Sequence, residues 1–336
     1  MLILGIDTSC DDTSASVVEN GTKIISNIIS SQTEIHKKYG GIVPELASRK
    51  HVEMILPVVD EALRVADINL RDLTAVAVCN GPGLIGSLLV GCSFAKAICY
   101  SKSIPLVAVN HLEGHVFSAF LEEVAPTFPF IALIVSGGHT CLYRVDGFGR
   151  YRDLGRTRDD AAGEAYDKVS KLLGLGYPGG PIIDKLAQDG NPDAINFPRA
   201  YLPESLDFSF SGIKTAVLNY LKTELRSQKQ TPNSELIKDI AASFQASVVD
   251  VLVRKTEWAI KKEHINRVML SGGVASNHEL RERIKEMAEE REVEIFIPSV
   301  SLCTDNAAMI AAAGYHHFIT KNIAGLDLNP KAYLPL

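Results

Sequence analysis

"LILGIDTSCDDTSASVVENGTKIISNIIS", residues 2–30, decides the fold. Within it "LILGID", "SASVVEN" and "TKIISNIIS" are apolar or β-branched runs parted by polar turns, the pattern of three strands joined by hairpins. Helical periodicity takes over in "PELASRKHVEMILPVVDEALRVA" (44–66), where Pro57 is expected to kink or break the helix. A strand "TAVAVCN", a helix after "GPGLIG", a strand "PLVAVN" and a helix opening at His111 follow. The order βββαβαβα argues for an α/β fold with helices covering a mixed sheet.

A similar order restarts at "FPFIALIVSGGHTCLYRV" (128–145). A strand, a glycine turn, a second strand and a third around "YRDLGRT" lead into helices and the strand "RVMLSGG". The Pro-containing "EEVAPTFPF" between the halves reads as a linker. The final helix, "TDNAAMIAAAGYHHFI" (304–319), reads as amphipathic. Two similar α/β lobes in tandem are therefore expected, with a ligand cleft between them at strand carboxyl ends. The first lobe takes residues 1–125, completed by 304–336; the second takes 126–303.

The chain has 336 residues, 46% apolar and 22% charged, the profile of an ordinary globular protein. Its opening reaches a carboxylate at Asp7 without a basic segment, which argues against a signal peptide. No uncharged apolar run approaches the roughly 18 residues of a membrane span. The six cysteines lack CxxC or framework spacing and read as reduced thiols, so a cytoplasmic location is expected. A net charge of −6 lacks the basic excess of a protein that grips nucleic acid alone.

Three turns share one design, in "LILGIDTSCDDTSA", "LIVSGGHT" and "VMLSGGVASN": an apolar strand, then small or acidic residues, then a new element. Glycine after a strand lets backbone N–H groups approach a phosphate with no Cβ in the way. A single "SGG" is more often only a tight turn, but three at matching places argue for a ligand. Ser276 and Asn277 suit the cap of the following helix. In "HLEGH" (111–115) two imidazoles four residues apart share one helix face, where they either bind a metal or pack. The zinc-peptidase motif HExxH needs glutamate beside its first histidine, and Leu112 stands there. Glu113 lies one residue on, turned by about 100° around the helix, so a peptidase is excluded.

The three turns resemble those of the actin, sugar-kinase and Hsp70 ATPase superfamily. Within it, "GIDTSCDDTSASVV", "GGIVPELASRKH", "GPGLIGSLLVG", "NHLEGH", "SGGHT", "GEAYDKVSKLLGLGYPGGPIID", "FSFSGIKTA", "SGGVASN" and "CTDNAAMIA" resemble the tRNA N6-adenosine threonylcarbamoyltransferase family, over nearly the whole chain. The resemblance implies two actin-like (RNase H-like) lobes and a third metal ligand, Asp305, beside His111 and His115. Two histidines and one carboxylate with open positions suit Fe(II), with Zn(II) the next candidate. Asp305 is expected to begin the last helix, where it can also cap.

The same resemblance implies transfer of threonylcarbamoyl from threonylcarbamoyl-AMP to the N6 amine of the adenosine 3′ of the anticodon. The tRNAs concerned read codons that begin with A, and AMP is released. It places Ile134, Val135, Ser136, Gly137 and Gly138 around the donor, Asp167, Gly180 and Asp184 at the nucleotide sugar, and Asn277 at the adenine. Asp11 and Asp12 are candidates to orient the amine or accept its proton. The family more often has glutamate where this chain has Asp12. Expected partners are tRNA, a shorter paralogous actin-like protein (TsaB type) docking on the first lobe, and a small P-loop ATPase (TsaE type). Lys37, Lys38, Arg49 and Lys50 are the local basic supply for tRNA, and they read equally well as solvated charges. Two rivals are a small-molecule kinase and a nucleotide-sensing scaffold of the same superfamily. The kinase has no need of HxxxH with a distant aspartate, and the scaffold would keep the fold without turnover.

Overall fold

A computed structural model describes residues 1–228 and 233–336. The chain divides into two compact units, one of residues 1–126 with 298–336, the other of residues 127–297. The return to the first unit thus falls at Pro298, ahead of the position expected from sequence.

The first unit opens with β1 (Leu2–Asp7), β2 (Asp12–Glu19), β3 (Lys23–Ser31), a short α1 (Thr33–Lys37) and α2 (Pro44–Val65). Next come β4 (Ala75–Gly81), α3 (Ile85–Lys102), β5 (Leu106–Asn110) and α4 (His111–Phe117). The sheet runs β3-β2-β1-β4-β5, with β1 antiparallel to β2 and parallel to β4. Helix α2 passes through Pro57 without a break, so the expected interruption does not occur. Its apolar face explains this: Ile55, Val58, Val59 and Ala62 on either side of Pro57 are buried against the sheet. That packing outweighs the one hydrogen bond a proline removes.

The second unit holds β6 (Phe130–Val135), β7 (Thr140–Gly147), β8 (Arg150–Arg156), α5 (Ala162–Leu172) and α6 (Gly179–Ala187). It continues through α7 (Ser211–Gln228), α8 (Ser234–Glu263), β9 (Arg267–Ser271), α9 (His278–Glu290) and β10 (Glu294–Phe296). The sheet order β10-β9-β6-β7-β8 repeats that of the first unit: an antiparallel three-strand meander, then two strands added in parallel. The edge strand β10 has no counterpart in the sequence reading; three residues are too few to show a period. Both sheets are mixed and flanked by helices, as actin-like lobes are.

The chain then re-enters the first unit with α10 (Val300–Cys303) and α11 (Ala307–Ile319). Helix α11 is not simply amphipathic: every residue from Ala307 to Gly314 is buried. Strand β1 explains its seat. Leu4 and Ile6 point into one core with α2 and α3, while Ile3 points into the other, built on Ala308–Ala313. Gly5 shares the Ile3 face, and a Cβ there would stand 2.2 Å from the Ala307 carbonyl oxygen. Small residues on both surfaces let the helix lie almost on the sheet.

Candidate metal centre and glycine turns

Asn110 ends β5 and caps α4, its side chain accepting the Leu112 N–H at 2.8 Å. Helix α4 therefore starts at His111, and the four-residue spacing stacks His115 one turn on, ring centroids 4.8 Å apart. Both histidines are buried, His115 completely. Asp305 Oδ1 lies 3.5 Å from His111 Nε2 and 3.3 Å from His115 Nε2. The structure corrects one expectation: Asn306, not Asp305, caps α11, accepting the Met309 N–H. The carboxylate of Asp305 is thus not occupied in capping.

This set fits a cation. Metal–ligand bonds of about 2.1 Å, opened by the right-angle to tetrahedral angles such ions prefer, separate donors by roughly 3.0–3.4 Å. Neither ring nitrogen of buried His115 has a hydrogen bond of normal geometry, an arrangement that costs free energy unless something else ligates it. The charges agree. Burial weighs against a charge on His111, but Asp305 and Asp7 outweigh it and raise its pKa well above the usual value. Burial also opposes the charge on Asp305, yet His111 and His115 hold it well below the carboxylate range. Burial lowers His115, keeping a neutral imidazole as ligand. A second group of potential donors, Asp7, Cys79 and His111, shares His111 with the first. Burial pushes the Cys79 thiol up to about 12.

Asp11 and Asp12 follow β1 in the first turn. Burial, then the neighbouring charge of Asp305, raises Asp11. Burial raises Asp12 to about 7, Asp11 and Asp305 adding to it while a Ser31 hydrogen bond opposes. A carboxylate titrating near neutrality is matched to proton transfer.

In the second unit Ser136–Gly138 forms a tight turn after β6. The Ser136 N–H donates to the His139 carbonyl at 2.7 Å, and its Oγ accepts the His139 N–H. Gly137 and Gly138 are exposed, and a Cβ on either would meet nothing within 4 Å. Ile134 and Val135 differ: their side chains are fully buried in the core, so they support the turn from below. Gly272, at φ +97°, is required, since a Cβ there would lie 2.3 Å from the Val135 carbonyl oxygen.

Asp167 accepts the Gly179 N–H at 2.7 Å at the start of α6, where Gly180 leaves open space. Asp184 and Asn277 meet directly: Asn277 Nδ2 donates to Asp184 Oδ1 at 3.0 Å and to Gln245 Oε1 at 2.7 Å. Asn277 also caps α9 through Leu280 N–H, as anticipated. Its amide is therefore committed to protein partners. Asp184 Oδ2 pairs with His278 Nδ1 at 2.6 Å. Asp7, Cys79, Gln245 and His278 escaped the sequence reading. Only Asp7 carried a signal there, as the polar end of an otherwise apolar strand.

A family model described as "TsaD: tRNA N6-adenosine threonylcarbamoyltransferase" matches residues 23–312. A curated protein of that name from Thermodesulfovibrio yellowstonii is 60% identical over 336 residues, all of both chains. One from Clostridioides difficile is 54% identical, covering 98% of this chain and 96% of its own. Among solved structures, full-length HypF in its phosphate- and nucleotide-bound form matches with a TM-score of 0.60 at 15% identity, over 95% of this chain and 46% of HypF. Component A of the Acidaminococcus fermentans (R)-2-hydroxyglutaryl-CoA dehydratase matches with a TM-score of 0.54 at 15% identity, over 94% and 98%. These two speak to the fold alone. Among the described residues, no helix is long and apolar enough to cross a membrane.

Proposed function

The chain belongs to the tRNA N6-adenosine threonylcarbamoyltransferase family, and from that premise we propose how its own residues divide the transfer. It is a transferase that modifies adenosine in tRNA to threonylcarbamoyladenosine, and the family binds a divalent metal. His111, His115 and Asp305 hold that metal, which is Fe(II), with Zn(II) as second choice. One observation carries this reading: ligands from α4 and from the segment before α11 converge with donor spacings suited to one ion. When bound, the ion supplies Lewis-acid polarisation and a template for the donor.

Threonylcarbamoyl-AMP is a mixed anhydride with a good leaving group, whereas the adenosine amine is a poor nucleophile. Positioning and proton removal are therefore the protein's main tasks. Ser136, Gly137 and Gly138 offer backbone to the donor, on a base formed by Ile134 and Val135. Asp167, Gly180 and Asp184 meet the nucleotide sugar. Asn277 sits by the adenine, held in place by its hydrogen bonds to Asp184 and Gln245. Asp12 takes the amine proton and Asp11 orients the amine, which the near-neutral titration of Asp12 favours.

Gly137→Val tests the donor site. The added side chain meets no protein atom, so the fold should survive with its Tm within about 2 °C, a surface-like change. AMP and donor affinity should fall at least about ten-fold, since a branched side chain blocks backbone approach. Calorimetric titration with AMP reads this out, and unchanged affinity places the nucleotide elsewhere.

The protein works in the cytoplasm on tRNA held jointly with partners. The local basic residues support this: Lys37 lies 3.7 Å from Glu34, Arg49 2.7 Å from Glu45 and Lys50 2.8 Å from Glu53. Their charges are largely compensated on the same helices. A paralogous actin-like partner docks on α2 and α3, and a small P-loop ATPase joins the assembly. Val52 and Leu56 on α2, with Ile85 and Leu89 on the adjoining α3, each remain more than half exposed, a stripe that favours an interface over solvent. Leu56→Glu with Leu89→Glu should abolish co-elution with that partner while leaving AMP affinity intact. Retained co-elution moves the interface. Reconstitution with donor, tRNA and metal, with and without partners, followed by nucleoside mass analysis, tests the whole reading and separates it from a kinase or a scaffold.

A further inference from the structure

His111 has a carboxylate at each end of its ring. Asp305 lies 3.5 Å from Nε2, and Asp7 Oδ2 lies 3.2 Å from Nδ1. Asp7 ends β1 on the Gly5 face, the face that carries α11, because side chains alternate along a strand. It is 1% exposed. Its Oδ1 accepts the Ser9 N–H at 2.9 Å, which fixes the plane of the carboxylate. Its Oδ2 is a buried oxygen with no hydrogen bond of normal geometry, and the His111 ring is what it faces. A buried carboxylate kept in this way costs stability unless it serves a partner.

We propose that Asp7 is a positioning residue: it takes the Nδ1–H of His111 and so turns the Nε2 lone pair toward the position shared by His115 and Asp305. An imidazole binds a metal through one nitrogen only when its proton resides on the other, and a carboxylate at Nδ1 sets that choice while raising ligand basicity. His111, at the first residue of α4, gains its orientation from this carboxylate of the sheet. The proposal rests on the metal reading above and extends it to a residue that touches neither substrate nor ion.

The test uses the full chain. Asp7→Asn keeps the volume but presents an amide N–H to Nδ1, which drives the ring proton to Nε2. Zn(II) affinity, measured by chelator competition, should fall 10–100-fold, and the visible spectrum of the Co(II) form should shift in wavelength and intensity. A merely structural role would alter Tm and leave the Co(II) spectrum of the folded fraction unchanged, and that outcome overturns the proposal. A second measurement needs no variant. In the Zn(II)-loaded wild-type chain, proton–nitrogen correlation spectra should show His111 protonated at Nδ1 and bound through Nε2; binding through Nδ1 overturns the proposal. Cys79→Ser should leave Zn(II) affinity within two-fold, and a loss as large as that of Asp7→Asn would put the ion on the Asp7–Cys79 side and overturn it as well. Failure of the metal reading itself looks different: His115→Ala then retains full metal, whatever Asp7 does.

Discussion

His115→Ala should purify as a folded protein that holds no equivalent of divalent metal and transfers threonylcarbamoyl roughly a thousand-fold more slowly, the several kcal/mol a Lewis-acidic ion supplies. Removing one imidazole leaves two ligands, too few to retain the ion against water. Asp305→Asn should behave alike. It keeps the shape, and Asn306 rather than Asp305 caps α11, so no helix end is lost with the charge. AMP affinity should fall much less in both, because the turn at Ser136–Gly138 and the Asp184–Asn277 pair are untouched. Elemental analysis beside AMP titration decides the matter. A full metal equivalent in both variants would falsify the assignment and return the two histidines to packing.

The second large effect is expected at a residue with no side chain. Gly5→Val places a Cβ 2.2 Å from the Ala307 carbonyl oxygen and 2.8 Å from the Ala311 nitrogen. Backbone atoms of a helix cannot step aside as a flexible side chain does, so α11 must move. Overpacking of this kind costs about 3 kcal/mol or more, a fall in Tm of about 4 °C or more for a chain of this size. Asp305 stands two residues before α11, so metal affinity should fall with stability. Gly137→Val is the control: the same substitution, where nothing crowds the new Cβ. Equal Tm for the two variants would show that α11 does not rest on β1 as described.

The pH behaviour of one further contact follows from its chemistry. Glu113, the residue that excluded a peptidase, pairs with His317 on α11 at 2.7 Å. Burial opposes a charge on His317, but the Glu113 carboxylate outweighs it and raises its pKa. A raised folded-state value means that the contact stabilises fully below the unfolded histidine's pKa and fades as pH rises through the folded one.

Much of the architecture was legible because strand and helix periods are local. The run 2–30 shows its three strands directly, and "IALIV" shows a strand buried on both faces. Pro57 and α11 misled for one reason: local rules predict a break and an amphipathic face, while burial against the sheet overrode both. The histidines of "HLEGH" share a helix face by spacing alone, so their mutual geometry was available from five letters. Asp305 was available only through the family resemblance, because no local pattern links residues so far apart in the chain.

Chain order and side-chain type settled the strands, the helix that pairs His111 with His115, and the exclusion of a peptidase. The folded molecule settled which carboxylates face them. Asp7 and Asp305 arrive from opposite ends of the chain because α11 lies on β1 and β4, and it can do so because Gly5 on β1 and Gly314 of α11, which faces Ala77 on β4, lack side chains. Close packing is a relation between two surfaces, and it is written in neither segment read singly.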